Sequence, residues 1–292
     1  MIPRVLAKQG WTPGHAILAV LFALGAVAAT SLAWRDIGAI ASHDPEASHI
    51  YLVPVVAIWM IWVRKVRLLR CPPGGGVVGT GIVALGWALS SIGYRYSIQS
   101  FWHGGCVLVL VGALVSVLGK HVLFQFFPAF AVLAFVVPVP GQMRQAISVP
   151  LQTASAAATH AVLQVLGVEA ELNQNLLSVR GTNIEVAEAC NGMRMVFALV
   201  LVSYAFAFGE PLRGYVRAII MLLSPIAALA CNIPRLVGTV LVYAYAGQGA
   251  GDAFHGIAGW AMLPLAFLLL LAITRTLRWA LLPVERFTLA YQ

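Results

Sequence analysis

The sequence predicts an all-α fold, a polytopic membrane bundle of about eight transmembrane helices. Of its residues, 61% are hydrophobic and only 10% are charged, whereas soluble chains are roughly one quarter charged. Several apolar stretches also approach or exceed 18 residues, the length that crosses a hydrocarbon core about 30 Å thick. Both observations argue against a water-soluble domain of this size.

Eight apolar runs account for most of the chain. We predict spans at residues 15–34, 49–63, 77–94, 104–119, 121–138, 191–208, 217–246 and 256–274. The first run lacks a convincing small-residue cleavage site, so we expect it to be retained as a helix. No internal repeat divides the chain, and we therefore expect one integral membrane domain over residues 1–292.

The charge distribution predicts the orientation. With eight spans, twelve basic residues fall on one side of the membrane: Arg4, Lys8, Arg64, Lys65, Arg67, Arg70, Lys120, Arg213, Arg217, Arg275, Arg278 and Arg286. By the positive-inside rule that side is cytoplasmic. We therefore expect a plasma (inner) membrane protein with both termini inside, and with residues 141–190 and 247–255 outside the cytoplasm.

The longest segment without a predicted span covers residues 141–190. Its first part, 144–166, repeats apolar residues every three or four positions, which predicts a helix on or dipping into the outer interface. Its second part, from Glu169 to Glu185, alternates more loosely and predicts a small hairpin. We expect this segment to bring Cys190 to the outer end of the sixth span.

Cys190 lies where the polar segment ends and the sixth apolar run begins. If that helix starts near Cys190, the unpaired amides of its first turn favour a thiolate, and Arg194 adds positive charge. Glu188 acts in the opposite direction if it points at the sulfur. Gly192 leaves room for a substrate chain or serves close helix packing. Cys190 is a candidate nucleophile, and the alternative is a packing residue.

Arg235 lies inside the apolar run 217–246, where burying an arginine costs at least about 2.5 kcal/mol on insertion scales. Pro234 frees a backbone carbonyl and is expected to kink the helix. A guanidinium in a partly dry site suits stabilisation of a carboxylate, a thiolate or a developing oxyanion. Asn232 is a second candidate hydrogen-bond donor. The alternative is a snorkelling arginine paired to an acid.

His255 begins the eighth span, on the same predicted side as Cys190. Histidine can take a proton from a thiol and return it to a leaving amine near neutral pH. The alternative is an interfacial histidine without a role. Asp252, three residues earlier, is a candidate to orient the ring. Four further histidines on this side compete with it: His43, His49, His103 and His160.

The remaining signals concern cofactors. The cysteines at positions 71, 106, 190 and 231 lack CxxC spacing, so neither a zinc site nor a redox pair is indicated. We interpret Cys231 as a packing residue and leave a Cys106–Cys190 disulfide open. There is no HExxH and no P-loop. We therefore expect no metal, cofactor, nucleotide or nucleic acid, and we attribute the net charge of +8 to cytoplasmic loops.

Three sequence blocks occur in a characteristic order. Residues 188–194 read Glu-Ala-Cys-Asn-Gly-Met-Arg, residues 232–235 read Asn-Ile-Pro-Arg, and residues 255–260 read His-Gly-Ile-Ala-Gly-Trp. Together they resemble the Glu-Ala-Cys-(Ser/Thr)-Gly-(aliphatic)-Arg, Asn-x-x-Arg and His-x-x-x-Gly blocks of the exosortase/archaeosortase family of multi-pass membrane transpeptidases. Ser48-His49 and the turn at 138–140 resemble weaker upstream features. Asn191 departs from the family's Ser or Thr.

The resemblance implies that Cys190 is the nucleophile, His255 the acid/base partner and Arg235 the stabiliser. We expect support from Arg194, Asn232, Glu188, Gly192 and His49. It also implies exported protein substrates with a C-terminal sorting tail, made of a short Pro-Glu-Pro-like motif, a hydrophobic helix and a basic end. The enzyme would cleave at the motif through a thioester and transfer the product to an acceptor, with membrane lipids around it.

Two other classes of function stay open. In one, an intramembrane cysteine protease completes the same reaction with water. In the other, a multi-pass transporter without enzymatic activity uses Arg235 as a substrate or ion-pair contact. The state of the product's new C-terminus separates hydrolysis from transfer. A Cys190→Ala variant distinguishes both cysteine enzymes from a transporter. The enzymes should lose their activity in this variant, whereas a transporter should keep its own.

Overall fold

The computed structural model describes residues 10–74, 76–185 and 193–279, which form helices and one small sheet. The chain divides into two compact units, residues 1–140 and 141–292, and each is described by itself. The prediction of one membrane domain stays a prediction.

All regular secondary structure among the described residues of the first unit is helical. Its α-helices are α1 (Pro13–Ala29), α2 (Ser31–His43), α3 (Leu52–Val63), α4 (Val77–Arg95), α5 (Gln99–Leu118), α6 (Lys120–Gln125) and α7 (Phe127–Ala131). Short 3₁₀ segments cover Pro45–Tyr51, Lys65–Arg70 and Val132–Val136.

The first predicted span, residues 15–34, is bent rather than straight. α1 ends at Ala29, α2 begins at Ser31, and the two helices meet at 80°. Thr30 at the bend is buried, and its hydroxyl accepts a hydrogen bond from the indole of Trp34 at 3.0 Å. The predicted span therefore crosses a change of direction, which hydropathy does not detect because both arms are apolar.

The fifth predicted span, residues 121–138, is three short pieces rather than one helix. They are α6, α7 and the 3₁₀ segment Val132–Val136. Pro128 lies in the first turn of α7. Because proline has no N–H and its ring clashes with the preceding turn, α6 cannot continue through this position.

The hairpin of α4 and α5 is held by direct contact between the two backbones. Gly79, Gly86 and Gly93 follow each other at seven-residue intervals on α4, and all three are buried. A Cβ at Gly86 would lie 2.7 Å from the Val109 amide nitrogen and 2.8 Å from the Gly105 carbonyl oxygen. Any side chain at these glycines would therefore push the helices apart.

Four described helical segments are long and apolar enough to cross a membrane: Glu46–Val63, Val77–Arg95, Gln99–Leu118 and Gly214–Ala246. The number rises to six if each of two bent helix pairs counts as one span. Several apolar helices of this kind belong to a multi-pass membrane protein. The exact number of eight spans stays a prediction.

The second unit begins with a long helix and a three-stranded sheet. α8 covers Gly141–Val165, and the strands are β1 (Ala170–Asn173), β2 (Leu176–Val179) and β3 (Thr182–Glu185). The strands are antiparallel in the order β1-β2-β3. The helix predicted over 144–166 is therefore present. Where a two-stranded hairpin was predicted, the structure has a sheet of three strands.

α8 presents its apolar stripe outward. Ile147, Val162 and Val165 are exposed, whereas Ser148, Gln152, Ser155 and Thr159 are buried. A helix lying between lipid and water would turn its polar face to water. The observed rotation instead directs the polar face of α8 to the interior of the unit.

Three further helices complete the second unit: α9, described from Met193 to Gly209, α10 (Gly214–Ala246) and α11 (Gln248–Trp279). The inner face of the sheet packs on α8 and α10, with Leu177 and Val179 against Ala156, Leu236 and Val240. α10 and α11 are joined through Gly247 alone. Its φ of 86° is a left-handed conformation that glycine adopts without strain.

Candidate active site

Arg235 is buried in the C-terminal half of α10, with 6% of its surface exposed. α10 remains one helix through Pro225 and Pro234, so neither proline breaks the segment that carries the arginine. A charged guanidinium at this level requires polar partners, because an unpaired charge in an apolar interior is costly.

Two side chains contact one terminal nitrogen of Arg235. Its Nη1 donates to Asn232 Oδ1 at 3.4 Å, and Nη1 lies 3.9 Å from Met195 Sδ. Asn232 is fully buried one turn earlier on α10, so its amide oxygen holds the guanidinium from the same helix. Asn232 was predicted as a hydrogen-bond donor, whereas in this contact its Oδ1 accepts. Met195 belongs to the first described turn of α9.

His255 on α11 contacts the other terminal nitrogen. Arg235 Nη2 and His255 Nε2 are 3.3 Å apart. A guanidinium has donors only, so Nε2 must accept, and the imidazole is then neutral with its proton on Nδ1. The pair thus places a fixed positive charge beside a neutral base in the second unit.

The approach of α10 and α11 around this pair depends on two glycines. A Cβ at Gly238 would lie 2.8 Å from the ring of Phe254 on α11. On α11, a Cβ at Gly251 would overlap the ring of Tyr243 on α10. Each helix thus offers a glycine to an aromatic ring of the other, and these two contacts set which residues face each other.

Tyr243 also bonds the side chain of Asp252. Its hydroxyl donates a short hydrogen bond to Asp252 Oδ1. Asp252 was also a candidate to orient the ring of His255, and that role stays a prediction. Its hydrogen bond from Tyr243 ties α11 to α10 one turn away from His255.

A polar cleft of about 390 Å³ opens beside His255. Its walls are formed by strand β3 and by helices α10 and α11. The α10 and α11 walls contribute Thr239, Tyr243, Asp252 and His255. Several hydrogen-bonding groups of different kinds converge on one small volume, which is typical of a ligand site.

The cysteine block lies largely outside the described residues. Cys190, Glu188, Asn191 and Gly192 belong to the segment 186–192, and their predicted roles stay predictions. Arg194 occupies the first described turn of α9. Met195, one residue further on, contacts Arg235, and therefore links the end of the cysteine block to the arginine.

The competing histidines have other partners. His160 Nε2 is 3.0 Å from the Ala170 carbonyl oxygen, and His103 pairs with Asp36 at 2.9 Å. His49 belongs to the first unit, where its buried ring contacts the Glu46 carbonyl oxygen at 3.0 Å. His43 is exposed at the end of α2. The supporting role predicted for His49 stays a prediction.

The described cysteines are buried and free. Burial raises the pKa of the Cys71 thiol, which disfavours a thiolate there. Cys106 donates its thiol to the His103 carbonyl at 2.9 Å. Cys231 packs with Met195 and Ala228, as the sequence predicted. Within residues 10–74, 76–185 and 193–279, no cluster of three His, Cys, Asp or Glu side chains suits a metal ion.

Met195, Tyr243 and the two contacts between glycine and aromatic rings were not predicted. For one of these two contacts a signal was present, because Tyr243 and Gly251 lie at equal distances from the turn at Gly247. The contact of Met195 has no such signal, since it depends on how α9 is rotated against α10.

The family comparison covers most of the chain. A family model described as a transmembrane exosortase matches residues 34–272. No curated protein and no solved structure matches the chain.

Proposed function

The chain belongs to the transmembrane exosortase family, and from that premise we propose that it cleaves the C-terminal sorting tail of exported proteins through a thioester on Cys190. Membership implies a cysteine-dependent membrane transpeptidase that acts on exported proteins with sorting signals. The finer proposal names the tail, a Pro-Glu-Pro-like motif followed by a hydrophobic helix and a basic end. It also names the residues that perform the reaction.

The contact between Arg235 and His255 carries this proposal. Acyl transfer through a thiol requires a base for the thiol proton and a positive group for the developing oxyanion. A buried guanidinium 3.3 Å from a neutral imidazole nitrogen supplies both in one place. A structural ion pair would set an arginine against an acid, not against a neutral histidine.

In the first half-reaction, His255 accepts the proton of the Cys190 thiol, and the thiolate attacks the peptide carbonyl at the motif. Arg235 turns from Nε2 to the oxyanion of the tetrahedral intermediate. The intermediate collapses to a thioester as the C–N bond breaks, and the leaving amine takes the proton from His255. The sorting tail departs with a free amino group.

In the second half-reaction, an acceptor nucleophile replaces the departed tail. His255 removes its proton as it attacks the thioester carbonyl, and Arg235 again stabilises the oxyanion. The attack forms the bond between the acyl carbon and the acceptor. Collapse then breaks the C–S bond, and the Cys190 sulfur takes the proton back from His255. Asn232 holds the Arg235 guanidinium in position. Arg194 favours the thiolate form of Cys190. Glu188, Gly192 and His49 are supporting residues of the same proposal.

We place the reaction at the extracytoplasmic side of the inner membrane. The proposal keeps eight spans with both termini in the cytoplasm, on the side that carries the twelve basic residues. A substrate tail with a basic end has the same orientation, so its apolar helix lies parallel to those of the enzyme.

Replacing Cys190 tests the proposed function. A full-length protein with Cys190→Ala or Cys190→Ser should cleave no tailed substrate when the two are expressed together in membranes, while the wild type should release the tail. Mass spectrometry of the product's C-terminus reports a conjugate for transfer and a free carboxylate for hydrolysis. Continued trimming by either variant would show that Cys190 is not the nucleophile, and unchanged solute uptake would favour a transporter.

A further inference from the structure

Strand β3 forms one edge of the small sheet, and within the part of the chain that the structure describes, no further strand pairs with it. Val179 pairs with Thr182 across the loop Arg180–Gly181, whose φ angles are 52° and 79°. Two successive positive φ angles identify a type I′ hairpin turn. An edge strand presents main-chain groups that are available to another chain.

The register determines which main-chain groups of β3 face this edge. In an antiparallel pair, opposed residues alternate between exchanging both hydrogen bonds and exchanging none, and the pair that flanks a two-residue loop exchanges both. Thr182 is therefore bonded to β2. Asn183, which lies opposite Ser178, directs its N–H and C=O away from β2.

The free edge of β3 faces the polar cleft that contains His255. Thr182, Asn183 and Ile184 all line this cleft. Because successive side chains of a strand point to opposite faces, a cleft that touches three consecutive residues must run along the strand edge. His255 lines the same cleft, so a chain bound at this edge lies in the cleft that contains the proposed base.

We propose that the cleft binds the sorting motif of the substrate as an added β-strand, with the central residue of the motif paired to the main chain of Asn183. This rests on the function proposed above and adds where and how the motif is held. Main-chain pairing to an exposed edge is a common mode of peptide recognition. The volume of about 390 Å³ lies near the lower limit of ligand pockets and suits a short motif.

A motif with proline on both sides of a central residue fits this pairing. In an extended chain, the N–H and C=O of one residue point to one side and those of its two neighbours to the other. When the central residue bonds Asn183, both prolines direct their missing N–H away from β3 and lose no bond. Proline also holds the residue before it in an extended conformation. A proline at the paired position would lose a bond.

A proline at position 183 tests the pairing from the side of the enzyme. Asn183→Pro removes the N–H that faces the cleft and no bond to β2, and edge positions of this kind tolerate proline. We expect kcat/KM for the tailed substrate to fall roughly tenfold or more. Asn183→Ala keeps the N–H and should lose at most about threefold. Equal values for the two full-length variants would overturn the proposal.

A substrate with one altered bond tests the pairing without changing the enzyme. The wild-type protein in detergent receives a tailed peptide in which an ester oxygen replaces the N–H of the central motif residue. We expect kcat/KM to fall roughly tenfold, whereas the same ester five residues earlier should leave it unchanged.

The outcomes separate this proposal from the one on which it rests. Equal cleavage of both esters and of the all-amide peptide would overturn the strand pairing and leave the proposed function in place. No cleavage of the all-amide peptide by the wild-type protein would overturn the proposed function, and the pairing with it.

Discussion

Two helical hairpins of this protein are both assembled on glycine, but they use it in different ways. In the α4–α5 hairpin, the glycines at the contact lie against the backbone of the partner helix, as Gly86 does against Val109 and Gly105. In the α10–α11 hairpin, two glycines lie under aromatic rings, Gly238 under Phe254 and Gly251 under Tyr243.

The difference determines what each hairpin can contain. Helices whose backbones touch leave no volume between them for long side chains, which is the case along the α4–α5 contact. Helices that are held apart by an aromatic ring leave room between them for long side chains. In the α10–α11 hairpin, Arg235 and His255 occupy it. Spacing by aromatic rings is thus the property that lets one hairpin hold a polar pair.

The largest expected effect is chemical and falls on the α10–α11 hairpin. Arg235→Lys should lower kcat for tail cleavage roughly 100- to 1,000-fold, because a point charge does not reproduce the planar fork at the oxyanion. The measurement is steady-state kinetics in detergent, with gel filtration as a check on folding. A lysine variant that retains wild-type kcat would remove Arg235 from the proposed mechanism.

The second effect is structural and falls on the α4–α5 hairpin. Gly86→Leu forces a side chain between two touching backbones and should destabilise the protein by about 1–3 kcal/mol. Thermal unfolding in detergent measures this. The matched control is Gly81→Leu on the same helix, where nothing lies within 4 Å of a Cβ. Equal midpoints for the two variants would contradict the close contact.

The third effect tests the aromatic spacing. Gly251→Ala displaces the Tyr243 ring and with it the alignment of Arg235 and His255, and should reduce kcat/KM roughly tenfold, since small misplacements of reacting groups are costly. Gly249→Ala is the control, because nothing lies within 4 Å of its Cβ. If both alanines behave alike, the ring contact does not set the alignment.

The smallest effect concerns the hydrogen bond between Tyr243 and Asp252. Tyr243→Phe keeps the ring on Gly251 and removes only the hydroxyl, so the thermal midpoint should shift by the equivalent of about 1 kcal/mol or less. A loss of activity as large as that of Gly251→Ala would show that the hydroxyl, and not the ring, aligns the helices.

Hydropathy was sufficient to locate the continuous helices. The predictions 77–94 and 217–246 correspond to Val77–Arg95 and Gly214–Ala246. It failed where an apolar run changes direction, at Thr30 and at Pro128, because apolar composition predicts burial in lipid and not the path of the backbone. The break at Pro128 was visible in the sequence, whereas the bend at Thr30 has no comparable signal.

The energetic cost of a buried charge and the chemistry of the side chains predicted part of the candidate site. An arginine in an apolar run was expected to face a polar partner, and His255 was predicted as the partner of Cys190. The contact between Arg235 and His255 was therefore not predicted, and the roles of both residues stay predictions. The orientation of α8 and the bond between Tyr243 and Asp252 were not predicted. Both depend on the rotation of one helix against another, which composition does not determine.

The two glycine–ring contacts also affect how the protein responds to lipid. Sliding α11 along α10 by one residue would move each helix about 1.5 Å past the other and lift both rings from their glycines at once. The relative level of Arg235 and His255 is therefore set by contacts within the hairpin. A bilayer that is a few ångström thicker or thinner changes the tilt of a spanning helix. A change in the tilt of α10 should therefore carry α11 with it and leave the pair aligned.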